Sequence, residues 1–112
     1  MTYSATTANA ARRDISKAAR YISEKLYNPS AADRLLDEVE ETIISLEEMP
    51  HRHPLVKDEY LASKGIRLLP IRNYHAFYTV DEESKTVIVV RFLYSKRDWA
   101  AILKGDYISE NT

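Results

Sequence analysis

Residues Thr86–Tyr94 read TVIVVRFLY, and the chain runs on as SKRDW to Trp99. A stretch rich in β-branched and aromatic residues, apolar at odd and even positions alike, predicts a strand covered on both faces and therefore central in its sheet. The same stretch then delivers Arg91, Lys96 and Arg97 among Phe92, Tyr94 and Trp99. Cations and aromatics at the end of the most apolar strand serve either solubility or a phosphate-rich partner.

DEES at 81–84 predicts a four-residue hairpin loop, because 81–86 is too long for a two-residue one. YHAFYTV before it predicts a second strand, with Tyr74 and Tyr78 turned to the core. IRLLPI predicts a third, which Pro70 makes an exposed or irregular edge. Residues 50–65, PHRHPLVKDEYLASKG, read as a connection punctuated by two prolines and a glycine. Upstream the period changes. From about Asn9, the residues Ile15, Ala18, Ala19, Ile22 and Leu26 fall on one helical face. Tyr27-Asn28-Pro29 stops that helix, with Asn28 as N-cap and Pro29 as first residue of the next. In the second helix Ala32, Leu35, Leu36, Val39, Ile43 and Leu46 recur at helical spacing up to Met49-Pro50. So short a joint makes the pair an antiparallel hairpin. TYSATT at 2–7 predicts a short first strand. RDWAAILKG predicts a short last helix, capped by Asp98 and ended by Gly105. DYISENT at 106–112 reads as a flexible tail.

The predicted fold is α+β. An N-terminal strand and a helical hairpin pack on a twisted antiparallel sheet, and a short helix closes the chain. The 112 residues predict one domain over 1–112, able to bury roughly two thirds of its unfolded surface. No cysteine is present, which excludes disulfides and thiolate metal sites. No apolar run approaches the ~20 residues of a membrane span. MTYSATTANAARRD has no apolar signal core, so a cytoplasmic protein without membrane contact is expected. Net charge is −1, but residues 1–60 carry −3 and residues 61–112 carry +2. The basic excess lies in the half that holds the cationic strand end. His51 and His53 lack a third ligand at useful spacing, so neither metal nor cofactor is expected.

NPSAADRLLDEVEETIISLEEMP, followed by GIRLLPIRNYHAFYTVDEESKTVIVVRFLYSKRDW, resembles the RelE/ParE superfamily of toxins from type II toxin–antitoxin pairs. The likeness rests on order and spacing: a helix closed by proline, an arginine at the start of a strand, an Asn-Tyr turn, an aromatic strand, an acidic hairpin, an apolar strand and a basic exit. The resemblance implies two possible activities. RelE-like members cut messenger RNA on the ribosome. ParE-like members trap DNA gyrase without hydrolysing anything. It also implies an antitoxin partner whose C-terminal segment wraps the toxin in a hetero-oligomer.

Metal-free RNA cleavage needs charge for the pentacoordinate phosphate and groups that move protons. Arg97 matches an arginine of the RelE-like site, and Arg91 lies on the central strand near it; both are candidates to neutralise phosphate, or to meet internal carboxylates instead. By period two Arg91 is expected on the face of Val87 and Leu93. His75 stands where RelE-like enzymes carry an arginine, and an imidazole there titrates near neutrality. Tyr94 is the other candidate proton donor. Lys96, Arg72 and Arg67 are the candidate RNA-backbone contacts, Arg67 with an equally good structural role. Two departures count against a nuclease: Leu103 replaces a catalytic tyrosine of the last helix, and Ile66 and Leu68 replace strand lysines. The expectation is a metal-independent endoribonuclease acting on translated mRNA. A non-enzymatic gyrase inhibitor is the alternative, and an inactive relative that only pairs with an antitoxin-like peptide is a third.

Overall fold

A computed structural model describes residues 2–110 of the chain. Its elements are β1 (Ser4–Thr7), α1 (Asn9–Arg20) continuing as a π-helical turn (Tyr21–Lys25), α2 (Pro29–Ser45), a 3-10 turn (Pro50–Arg52), α3 (Glu59–Ser63), β2 (Arg67–Ile71), β3 (Tyr74–Asp81), β4 (Thr86–Tyr94) and α4 (Trp99–Glu110). The sheet has four strands in the order β1-β4-β3-β2. β4 is therefore interior, as its two-faced apolar pattern requires. β2, β3 and β4 are antiparallel, while β1 joins β4 in parallel.

The helical hairpin forms where its caps place it. Asn28 Oδ1 accepts the Ala31 N–H at 3.1 Å, and Pro29 takes the first helical position, where no N–H is needed. Ala11, Ala18, Leu35, Val39 and Leu46 then bury against Leu69, Ile71, Ala76, Tyr78, Val87, Val89 and Phe92. The Tyr78 hydroxyl, fully buried, donates to the Pro50 carbonyl at 2.6 Å.

A second core fills the opposite sheet face: Val56, Leu61, Ile66, Phe77, Leu93 and Leu103. α3 and α4 supply its cover. The 50–65 connection thus holds helical turns where the sequence reads as loop. Asp58 caps α3 through Leu61 N–H at 3.0 Å, but a helix of five residues is too short to show a period. α4 is also longer than expected. It passes through Gly105 and carries Asp106 and Tyr107, placed in the tail by the sequence, against the body. Residues 111–112 of that expected tail lie outside the described residues.

One irregularity decides the faces of β4. Tyr78 pairs with Val89 and Phe77 with Arg91, so Val90 is an extra residue, a β-bulge. Val87 and Val89 face the helical hairpin, Val90 packs on the α4 side, and alternation resumes with Phe92 on the hairpin side and Leu93 on the α4 side. Arg91 therefore falls with Leu93 but not with Val87, which corrects the expectation of one face for all three. Both sheet borders are blunted. Ala5 N–H on β1 is taken by Glu47 Oε2 at 3.1 Å. On β2, Leu68 N–H is taken by the Pro54 carbonyl at 3.0 Å, and exposed Pro70 offers no N–H.

Candidate functional site

The tip of the helical hairpin, the β2–β3 turn and the exit from β4 enclose a cavity of about 630 Å³. α1 and its π-helical turn supply Asp14, Lys17, Ala18, Tyr21 and Ile22. This is an i, i+3, i+4, i+7, i+8 series, so one helical stripe faces the hollow. α2 supplies Ala31 and Leu35. The two-residue turn gives Arg72 and Asn73, with Tyr74 beside them, and the β4 exit gives Phe92, Tyr94 and Arg97. Two conformational departures border it: the π-helical turn, a form enriched at functional sites, and a φ of +55° at Arg72.

Arg91 lies behind this wall, held from two sides. Its Nε and Nη2 donate to Asp14 at 2.7 and 3.0 Å, and its Nη1 donates to Asp106 at 3.1 and 3.3 Å. Asp14 also accepts the Phe92 N–H at 3.1 Å, beyond the point where β1 stops pairing with β4. The Asp14 hydrogen bonds, opposed by burial and aided by Asp106, lift the guanidinium still further above its usual range. A cation so neutralised has little left for an outside phosphate.

The other expected residues divide. Arg72, Tyr94 and Arg97 share the cavity. Arg72 Nε also donates to Glu38 at 2.8 Å, an exposed pair. Tyr94 stands at the rim, edge-on to Tyr74 with ring centres 5.9 Å apart. Lys96 is exposed on the same loop, and neither it nor Arg97 makes an ion pair among the described residues. His75 is elsewhere. It lies edge-on to Phe77, a residue of the α4-side core, and its buried Nδ1 has no hydrogen-bond partner among the described residues. Burial pulls its pKa below the ordinary 6.5. Arg67 is a clamp, with Nη1 on the carbonyls of His53 at 2.7 Å and His51 at 3.3 Å. Leu103 is buried in the second core and has no proton to move.

Lys17, Tyr21 and Asn73 line the cavity without having been singled out, and Tyr74, expected as core, packs on that core while lining it. The Asp14-to-Ile22 spacing was the available signal. It reads as an ordinary amphipathic helix until the strand end is known to lie opposite.

The fold is shared with solved toxins. The chain superposes on the RelBE2 toxin–antitoxin complex from Mycobacterium tuberculosis with a TM-score of 0.63 and 23% identity, over 84% of this chain and 92% of that one. It superposes on the chromosomal ParDE toxin–antitoxin system from P. aeruginosa with a TM-score of 0.70 and 15% identity, over 85% and 98%. Among curated proteins none matches. The class defined is the α+β toxin of the RelE/ParE superfamily. Residues 6–99 match the family described as the ParE toxin of the type II toxin–antitoxin system parDE, and the chain belongs to that family.

Proposed function

We propose that this toxin acts by binding rather than by cleavage: it traps DNA gyrase, and a partner antitoxin keeps it inactive until then. The observation that carries the reading is the division of the charged groups. Strand cleavage needs a proton-moving group and an uncommitted cation on the same phosphate. Of the expected set, Arg91 is saturated by Asp14 and Asp106, His75 lies against the second core, and Leu103 is buried, which leaves Tyr94 as the one expected proton-moving group beside Arg72 and Arg97. The ParE family match over residues 6–99 favours the same reading. Both structural relatives are toxin–antitoxin complexes, which supports an antitoxin for this chain as well.

The endoribonuclease reading keeps one support, the convergence of Arg72, Tyr94 and Arg97 on one hollow. Purified toxin assayed on gyrase supercoiling and, in parallel, on ribosome-bound message separates the two. Inhibited supercoiling with intact message is the expected result. Cut message with normal supercoiling overturns the proposal.

A further inference from the structure

α1 turns toward solvent a row of cations that the fold itself does not use. Arg13, Lys17 and Arg20 stand at i, i+4 and i+7, on one face of the helix, and Arg12 adjoins them. All four are exposed. None of them makes a side-chain hydrogen bond or an ion pair among the described residues. Arg52, Arg67, Arg72 and Arg91, by contrast, each donate to a protein acceptor. Lys17 lines the hairpin-tip cavity together with Arg97, so the row runs on to the basic exit of β4. Three acids lie near it. Asp14 is committed to Arg91. Glu24 follows Arg20 by four residues, and Glu40 of α2 stands with Arg12 in the outer groove of the hairpin; neither is in an ion pair among the described residues.

We propose that this face binds the phosphate backbone of duplex DNA, so that the toxin touches the DNA on which gyrase is trapped. The inference deepens the trapping reading and rests on it. The composition of the face selects the ligand. Between positions 12 and 20 the exposed residues are Arg12, Arg13, Ser16, Lys17 and Arg20. A protein partner draws its affinity from buried apolar or aromatic anchors, and this row offers none. Unpaired bases need aromatic faces to stack on, and Tyr21, the next exposed side chain, lines the cavity instead. What remains is a ligand held by charge at regular intervals, which describes a duplex backbone. The helical rise sets Arg13 and Lys17 about 6 Å apart along the axis, with Arg20 about 4.5 Å further on. A helix-borne row of this kind meets a regular row of phosphates without ordering either partner. Arginine adds a bidentate fit to phosphate, and the Ser16 hydroxyl is a further donor. The net charge of −1 keeps the contact weak, effective once gyrase has brought the DNA alongside.

The test uses the full chain and the fluorescence anisotropy of a labelled DNA duplex of about 20 base pairs, titrated over a range of NaCl concentrations. Log affinity plotted against log salt is expected to fall with a slope of about −3, as for roughly three neutralised phosphates. Duplexes of unrelated sequence should bind alike. The double variant Arg13→Gln/Arg20→Gln should bind about tenfold more weakly at low salt and flatten the slope by about 2. Arg13→Lys/Arg20→Lys keeps the charge and should restore the slope, which separates loss of charge from a defect in folding. An unchanged slope in the glutamine variant overturns the proposal, as does an absence of salt-dependent binding by the parent. Tighter binding of a single strand, an RNA duplex or polyglutamate would assign the face to another ligand and overturn it equally. The two readings fail separately. DNA binding without gyrase inhibition removes only the trapping function, and gyrase inhibition without DNA binding removes only the role of this face.

Discussion

Asp14 and Arg91 are 77 positions apart in the chain, and their side chains meet at 2.7 Å. The carboxylate also takes the Phe92 N–H, so one residue of α1 both neutralises a strand cation and completes the strand's hydrogen bonding. Side-chain exposure is 11% for Asp14 and 17% for Arg91, against 43% for Asp106.

That asymmetry sets the first expected outcome. Asp14→Ala leaves a mostly buried guanidinium with only its outer partner and should destabilise by about 3 kcal/mol. Asp106→Ala removes an exposed partner and should cost about 1 kcal/mol or less. Urea unfolding midpoints of the two variants measure the difference, and equal losses would refute the hierarchy.

Tyr78→Phe deletes a fully buried hydroxyl whose carbonyl partner on Pro50 then loses its hydrogen bond. A loss of about 1–2 kcal/mol is expected. The same equilibrium experiment reads it, and a neutral outcome would mean that water replaces the hydroxyl.

Gly105 lies inside α4, and a Cβ there meets nothing within 4 Å. Gly105→Ala should raise stability by about 0.5–1 kcal/mol, mainly by restricting the unfolded chain. A lowered thermal midpoint would show that the helix does end at that glycine.

His75 and His53 are both pulled below the ordinary 6.5 by burial, His53 with help from Arg52. The unfolded chain therefore binds protons at a higher pH than the folded one. Stability is full above about pH 6.5 and declines as the pH falls below it, until the folded histidines titrate too. His75→Phe should flatten part of that acid limb while leaving stability at pH 8 near that of the parent. An unchanged slope would show that His75 adds nothing to it.

Much of the fold was legible because its signals were periodic or local. The Asn28-Pro29 cap, the heptad-like run from Ala32 to Leu46 and the two-faced pattern of TVIVVRFLY each state their structure within a few residues. Three features were not legible. α3 is too short for a period, the extension of α4 past Gly105 depends on contacts made by Asp106 and Tyr107, and the Val90 bulge is visible only in the pairing register. The site suffered most from the bulge. Arg97, Tyr94 and Arg72 do share a hollow, but the clasp on Arg91 joins α1, β4 and α4, and no local pattern announces a bond between Asp14 and Arg91. Lys17 and Tyr21 were missed for the same reason: what faces a helix stripe is set by tertiary placement.

The extra residue at Val90 also gives this strand one point at which a residue can be lost without a shift of register. An in-frame loss of the Val90 codon would set Val89 and Arg91 side by side opposite Tyr78 and Phe77, so the pairing, the hairpin-side place of Phe92 and both carboxylate contacts of Arg91 would survive. A codon lost from the exposed 82–84 loop would shift no side chain across the sheet. Survival of a deletion library should therefore show tolerance at position 90 as well as over the loop, a pattern that hydrophobicity alone does not suggest for a valine on an interior strand.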